Sequence, residues 1–499
     1  MFKGKNITSL IKILKKKDLG RIFRRAKFIF KKDRLSDFLI RVENRLPLEQ
    51  RMSLLDKKEG YISADESRYL YLKISSLVPC KISLCWNSGA LRYITKSFDI
   101  YMSPAIYIFD LAMIRANDQN GKTNYFWGGR ITNFEIICNA HYIIEWSKFT
   151  NTKLAFGVEK VPVIEIIDYP EIVHLEVTRN CNLKCYMCRE NRDREVKEIG
   201  IKDLDYHILD KMIPFMQNVG HVALFGWGEP LCHPNFDEFI NLVSKIKERN
   251  QPKLLNKVKP HVSFTTNATL LTKDLIHRII KSELDEIVVS MDSPNENNFN
   301  FIRKGADFIK VVNNLRKLQE LKAKYGVTHP ILSIQFVAMR RNIEELPEMI
   351  KFADDLGIKR VRIGYITVVT KGLEQESLYY HQDLANRIFD QTEKIARENG
   401  VSIISSALRF GTKVEPQGYC DDIQKIFYIK AEGTVIPCCI ATDVIVGNLY
   451  EESPEEIWQG ECRKKIIDKL KKGILEGKCK GCYKFTGNDI NSRETHIKI

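Results

Sequence analysis

The chain has 499 residues, 44% of them apolar and 28% charged, which excludes a largely disordered or fibrous protein and suggests about three domains at roughly 150 residues each. It has no run of about 18 uncharged apolar residues, so no helical membrane span is expected. Charges interrupt the apolar core that a secretion signal would need after the basic start Met1-Phe-Lys-Gly-Lys-Asn6, and the chain is expected in the cytoplasm. The net charge of +15 is uneven: residues 1–46 hold 15 Lys and Arg against 4 Asp and Glu, so one arm carries most of it.

That arm, 1–46, reads as basic amphipathic helix. Leu10, Ile13, Leu14, Ile22, Phe23, Ala26 and Phe30 fall near helical spacing among Lys15, Lys16, Lys17, Arg24, Arg25, Lys31 and Lys32. Such a face suits an anionic membrane surface, with the protein peripheral to it, or an anionic partner. It equally suits a solvated helix packed on its own protein. No reading motif accompanies the charge, so nucleic acid is not expected as a partner.

Residues 58–167 change to short alternating segments, among them Tyr69–Ile74, Lys81–Trp86, Ala105–Phe109 and Asn133–Cys138, with turn signals such as Asn87-Ser-Gly89 between them. Even spacing of short strands predicts an all-β, sandwich-like domain or small barrel. Trp86, Tyr125, Phe126 and Trp127 could face a sugar or acceptor substrate, although buried packing is the commoner use of such side chains. Cys80, Cys85 and Cys138 read as small core residues.

From Glu171 strand and helix alternate. Strands are predicted at 172–177, 222–225, 262–265, 286–291, 332–338 and 360–365, with helices at about 204–218, 235–249, 273–282, 307–325, 343–356 and 382–399. Six such units give an α/β fold with a parallel sheet, a partial barrel whose ligand loops lie at the carboxyl ends of the strands. The loop after the first strand is Cys181-Asn-Leu-Lys-Cys185-Tyr-Met-Cys188. Three thiols at C-x3-C-x2-C spacing form a metal site one ligand short of a closed structural one, and alone they leave zinc or a ferredoxin-like cluster open. Thirteen cysteines clustered at such spacings, in a long chain without an export signal, fit a reducing compartment.

With Gly226-Trp-Gly-Glu-Pro230 after the second strand, Thr265-Thr-Asn267 after the third and Ser290-Met-Asp292 after the fourth, this loop resembles the radical S-adenosylmethionine (SAM) enzymes over about residues 171–485. The resemblance implies that Cys181, Cys185 and Cys188 hold a 4Fe-4S cluster whose fourth iron is chelated by S-adenosyl-L-methionine. An electron from a reductant such as flavodoxin or ferredoxin then yields a 5'-deoxyadenosyl radical that abstracts a substrate hydrogen. It further implies that Gly226, Gly228, Glu229 and Pro230 contact the methionine amino group, Trp227 standing where many members have a second glycine. Ser290 and Asp292 would meet the ribose, and Arg340 and Asn342 the methionine carboxylate; a loop cap is the other reading of Asp292.

Downstream, Cys420, Cys438-Cys439, Gly447-Asn448, Trp458 and Cys479-Lys-Gly-Cys482 look like the SPASM or twitch extension of that family. The domains are therefore drawn at 1–46, 58–167, 171–405 and 406–499. Cys420, Cys438, Cys479 and Cys482 would hold one auxiliary 4Fe-4S cluster, with zinc as the competing reading; Cys439 is an alternative to Cys438, and Cys462 is unassigned. An auxiliary cluster with every iron held by protein suggests electron transfer, and the four-cysteine spacing resembles members that dehydrogenate hydroxyls of cyclitol- or sugar-like compounds, so oxidation or epimerisation of a carbohydrate-like substrate, free or lipid-linked, is expected. The alternative is a peptide or protein maturase, and a non-catalytic iron-sulfur scaffold is a third reading. Cys232, two residues past the Gly-Glu-Pro turn, is a candidate hydrogen donor to a substrate radical or simply a structural thiol.

Overall fold

The structure is a computed structural model that describes residues 50–53, 62–64, 69–76, 80–88, 91–100, 105–111, 114–119, 123–124, 130–138, 142–150, 163–166, 168–188, 203–248, 259–366, 368, 372–405, 409–411, 420 and 422–482. The basic arm and the aromatic residues Tyr125, Phe126 and Trp127 lie outside the described residues. The chain divides between Asp168 and Tyr169 into two units. Among the described residues, no helix is long and apolar enough to cross a membrane.

In the first unit the described strands form two sheets. The larger runs Gln50–Ser53, Arg130–Cys138, Cys80–Ser88, Leu91–Thr95, Ala116–Asp118, Thr123–Asn124, with two short strands beside this path; the smaller runs Tyr142–Thr150, Tyr69–Ser76, Ala105–Asp110, Val163–Ile166. Alternation along Cys80–Ser88 sends Ile82, Leu84 and Trp86 into one core with Leu70, Leu72 and Ile74 of the other sheet. Trp86 therefore offers no face to a ligand: its indole is fully buried and lies parallel to Phe134 with ring centroids 6.1 Å apart. Cys138 joins that core, whereas Cys85 is buried on the opposite face, its sulfur accepting from Arg92 Nε at 3.0 Å.

In the second unit the six expected strands appear as Ile172–Leu175, His221–Leu224, His261–Thr266, Glu286–Ser290, Ile331–Ala338 and Arg360–Tyr365, all parallel and adjacent in chain order. A seventh, Ser402–Ser405, extends the far edge; it is short and largely exposed, and it lacks the apolar run that marks the others. The intervening helices start where polar caps stop the strands. Asp205, Thr272 and Asp307 each accept a backbone N–H of the first turn, and Gly326 closes the longest helix, Phe308–Tyr325, at φ 65°.

At the other edge Ile426–Ile429 pairs parallel with the first barrel strand, and Thr434–Ile436 and Gly447–Asn448 follow antiparallel. The C-terminal region thus begins as a continuation of the barrel sheet. Such a pairing, across some 250 residues of chain, carries no local sequence signal.

The first unit is fastened by a buried ion pair. Asp168 accepts from Arg115 through its backbone N–H and Nε at 2.9 Å and through Nη2 at 3.0 Å, and Lys96 also reaches it. Burial alone would raise this carboxyl, but Arg115 and Lys96 outweigh it and hold the pKa at about 2. Asp168→Ala strands the Arg115 cation and should cost about 3–5 kcal/mol of this unit's stability in urea unfolding at neutral pH. Because the folded pKa is depressed, the wild-type contribution is complete above the ordinary value of 3.8 and is lost as pH falls through about 2.

Candidate active site

The cysteine loop is stitched to the barrel by its backbone. Lys184 N–H donates to Lys304 O and Tyr186 N–H to Ile302 O, each at 2.8 Å. Tyr186 and Met187 pack on Ile302, Met339, Ile366, Val368 and Leu373. The Arg341 guanidinium lies 4.5 Å from the Tyr186 ring and 4.0 Å from Phe301, while its Nε donates to Glu376 at 2.7 Å. This clamp fixes the loop before any cofactor arrives.

Three thiols of one short loop are gathered so closely that Cys185 and Cys188 disfavour ionisation of Cys181. Burial pushes the Cys181 thiol up to about 12, with Cys185 and Cys188 adding to the effect. Burial raises Cys185 as well, against the pull of Arg303. Such a set is deprotonated when it binds a strongly cationic centre, and three soft sulfurs with one open position suit a 4Fe-4S cluster. Among the described residues no three His, Cys, Asp or Glu side chains converge tightly enough for a single ion. A cluster offers its irons at separate corners, so its ligands need not converge on a point.

The turn after the second strand packs directly on this loop. A Cβ on Gly228 would lie 2.2 Å from Thr178 O, and one on Gly226 would lie 2.4 Å from Glu176 Cγ, so both glycines are required by contact within the protein. Glu229 is 3% exposed and its backbone N–H donates to Asn180 O at 2.9 Å. Its carboxylate accepts from Thr266 Oγ1 at 2.6 Å and Asn267 N–H at 2.7 Å. Asn267 Nδ2 then donates to Asn182 Oδ1 at 3.0 Å, and Asn182 Nδ2 to Thr269 Oγ1 at 2.8 Å. Second-strand turn, third-strand turn and cysteine loop are one hydrogen-bonded body. Pro230 follows, buried, at the start of the short 3-10 turn that carries Cys232, whose sulfur is 3.7 Å from Asn182 Oδ1.

The remaining expected contacts fall into three groups. Ser290 ends the fourth strand half-buried, with no side-chain hydrogen bond to the described residues. Asp292 and Asn342 are fully buried and engaged internally. Asp292 accepts Arg303 Nε at 2.6 Å and Val337 N–H at 2.8 Å; Asn342 donates to Asp292 O and Val337 O at 2.9 Å and accepts Met339 N–H at 2.7 Å. Arg340 pairs at the surface with Glu344 at 3.2 Å. Arg303, Asn182, Glu176 and Arg341 carry no motif signal of their own, whereas the Gly226–Pro230 turn marks Glu229 and the Thr265-Thr-Asn267 string marks its partners.

At the C-terminal site Cys479 is pushed up to about 12 by burial and by Cys438 and Cys482 beside it, and burial raises Cys438. Cys420 is held through its carbonyl, which accepts Gln424 Nε2 at 2.9 Å. Arg463, buried against Trp458, donates to Ile423 O and Trp458 O and so fixes the helix that follows Cys420. Cys439 adjoins the buried Tyr428 hydroxyl, and Cys462 sits apart with its thiol 3.6 Å from Ile445 O. The thiols at 438, 479 and 482 lie together and fit an auxiliary cluster.

The inner wall of the barrel is polar. His221 Nε2 meets Ser263 Oγ at 2.8 Å, and His261 Nε2 meets Glu286 at 3.2 Å. Glu286 accepts from Ser333 and, at 2.9 Å to each oxygen, from Arg362. Burial lowers both His174 and His221 to about 4, keeping them neutral, while hydrogen bonds and Arg362 outweigh burial and bring Glu286 down to about 2.

Residues 175–353 match the radical SAM superfamily and residues 420–483 an iron-sulfur cluster-binding domain. The tungsten-containing aldehyde ferredoxin oxidoreductase cofactor-modifying protein of Pyrococcus furiosus is 24% identical over 333 residues, which are 62% of this chain and 86% of that protein. The AdoMet-dependent heme synthase of Methanosarcina barkeri is 23% identical over 361 residues, 65% of this chain and 96% of its own. The crystal structure of Streptococcus suis SuiB bound to S-adenosylmethionine superposes with a TM-score of 0.48 at 17% identity, covering 67% of this chain and 75% of that one.

Burial raises the Glu229 carboxyl to about 7 against its hydrogen bonds from Asn267 and Thr266. A raised folded pKa gives stability that is full below the ordinary value of 4.5 and is lost as pH rises through about 7. Without S-adenosylmethionine, the protein should lose roughly 3 kcal/mol across that window, and Glu229→Gln should flatten the decline in denaturant unfolding.

Proposed function

We propose that this chain, a radical SAM superfamily enzyme with a C-terminal iron-sulfur cluster-binding domain, oxidises a neutral, hydroxyl-bearing substrate of carbohydrate-like character. The observation that carries this reading is the barrel's inner wall, which is rich in hydrogen-bonding groups and carries no net charge. Arg362 is balanced by Glu286, and His174 and His221 are neutral. His174 Nδ1 and Arg362 Nε have no hydrogen-bond partner among the described residues, although both are buried. Buried polar atoms left in this state want a ligand's polar groups, and an uncharged wall favours hydroxyls over phosphates or carboxylates.

When bound at Cys181, Cys185 and Cys188, the cluster supplies the electron that cleaves S-adenosylmethionine to methionine and the hydrogen-abstracting 5'-deoxyadenosyl radical. The chain's own work is positional. The Glu229, Asn267 and Asn182 network holds the second-strand turn against the cysteine loop, and the wall orients one C–H bond toward the mouth of the barrel. A substrate carbinol that has lost a hydrogen atom becomes a carbonyl by giving up one electron and the hydroxyl proton. Cys420, Cys438, Cys479 and Cys482 would hold an auxiliary cluster, which would supply an acceptor for that electron, and the hydroxyl proton would leave to solvent. A peptide presents neutral amides to the same wall and is the second reading.

Anaerobic incubation with dithionite and S-adenosylmethionine should give 5'-deoxyadenosine, and a neutral polyol substrate should raise its yield. Reconstituted protein should hold about eight irons, falling to about four when Cys181, Cys185 and Cys188 are replaced by Ala. His174→Phe should keep the irons and lose the substrate-dependent part of turnover. Absence of 5'-deoxyadenosine with every substrate class would sink the enzymatic reading. Stimulation by peptides but not polyols would select the second.

A further inference from the structure

We propose that Arg303, anchored by Asp292, is a positioning residue that sets the reduction potential of the cluster held by Cys185. The proposal rests on the reading that Cys185 ligates that cluster.

Arg303 lies immediately after the helix Glu296–Ile302, and its side chain is 12% exposed. One edge of its guanidinium is fixed: Nε donates to Asp292 Oδ2 at 2.6 Å. Asp292 cannot swing to follow it, because Val337 N–H bonds its other oxygen and Asn342 Nδ2 holds its carbonyl. The opposite edge is thereby turned onto the cysteine loop, with Nη1 3.8 Å from Cys185 Sγ. The backbone repeats the alignment, since Lys184 and Tyr186, on either side of Cys185, bond to Lys304 and Ile302, on either side of Arg303. Cys185 and Arg303 are therefore held opposite each other by main chain as well as side chain.

A buried cation that donates toward a ligand sulfur stabilises the more negative state of a cluster, and hydrogen bonds to sulfur and local charge are levers on its potential. Reduction adds one electron to the cluster and requires no proton or bond change at Arg303. The Asp292 carboxylate offsets part of the cationic field, so the pair as built sets an intermediate value. This also accounts for a carboxylate at Asp292 whose two oxygens are already engaged inside the protein.

The test is an anaerobic potentiometric titration of the reconstituted full chain, followed by electron paramagnetic resonance. The cluster is identified by the signal that changes shape on adding S-adenosylmethionine. Arg303→Gln should make its reduction at least tenfold less favourable, a shift of about 59 mV to more negative potential. Arg303→Lys, which keeps the charge, should recover most of it. Asp292→Asn, which removes the opposing charge, should move the potential the other way.

Iron analysis keeps the two readings apart. If Cys185→Ala retains the full iron content and the S-adenosylmethionine-sensitive signal, the ligand reading fails. If that reading stands and Arg303→Gln has wild-type potential with a full complement of iron, the tuning role is wrong. It is equally wrong if Gln and Lys shift alike. Should Arg303→Gln lose iron, the Asp292→Asn titration decides: a potential that does not rise overturns the proposal.

Discussion

The site depends on one buried carboxylate. Glu229 is removed from water, and two short bonds from Thr266 and Asn267 offset only part of that cost, so its carboxyl stays raised to about 7. Those donors stand at the end of the third strand, while the carboxylate comes from the turn after the second and its own backbone N–H reaches the loop after the first. An unpartnered carboxylate at that depth would neutralise itself or pull the turn open. With the bonds in place, three loops that have no covalent reason to be rigid are set against one another. Asn182 extends the same network into the C-x3-C-x2-C loop, so the position of the cysteines is coupled to a residue two strands away.

This coupling gives the glycines a different weight from the one their motif implies. A glycine beside a ligand is needed so that backbone can approach the ligand; here Gly226 and Gly228 are already needed so that the turn can approach Glu176 and Thr178. The two demands are compatible, because a turn pressed onto the first strand's loop presents its free side to whatever that loop binds. The far flank of the loop is fixed independently by Arg341 between Tyr186 and Phe301 and by Arg303 beside Cys185. Two separate sets of contacts therefore hold the three sulfurs, one polar and buried, the other cationic and aromatic.

Much of this was legible in the sequence wherever the signal is local. The six strands and the helices between them follow from apolar periodicity and caps, and the cysteine spacings mark both metal-binding regions directly. What escaped was set by long-range pairing. The edge strand Ser402–Ser405 is too polar to read as a strand, and the parallel pairing of Ile426–Ile429 with Ile172–Leu175 depends on residues far apart in the chain. Asp292 illustrates the limit best: its place after the fourth strand was visible, but its partner Arg303 and the buried depth of the pair were not. The polar inner wall was equally hidden, since His174, His221, Ser263 and Arg362 are polar residues interleaved with apolar ones, and no motif says that they face one another.

The first barrel strand is where the two metal-binding regions meet, and this bears on how an electron could leave the substrate. Glu176 follows that strand; its carboxylate accepts Trp227 N–H of the Gly-Glu-Pro turn at 3.0 Å and Ala431 N–H of the C-terminal hairpin at 3.4 Å. Beside it the Tyr428 hydroxyl is buried next to Glu176, Cys439 and Cys438, and its ring meets His174 edge-on, with centroids 5.6 Å apart. The inner wall, the turn beside the cysteine loop and the C-terminal thiols are therefore joined through one strand and its parallel neighbour. The C-terminal region is built onto the barrel sheet itself. On the proposed reading, an acceptor held in this C-terminal region would have a fixed place relative to the wall, as one-electron oxidation of a bound substrate requires.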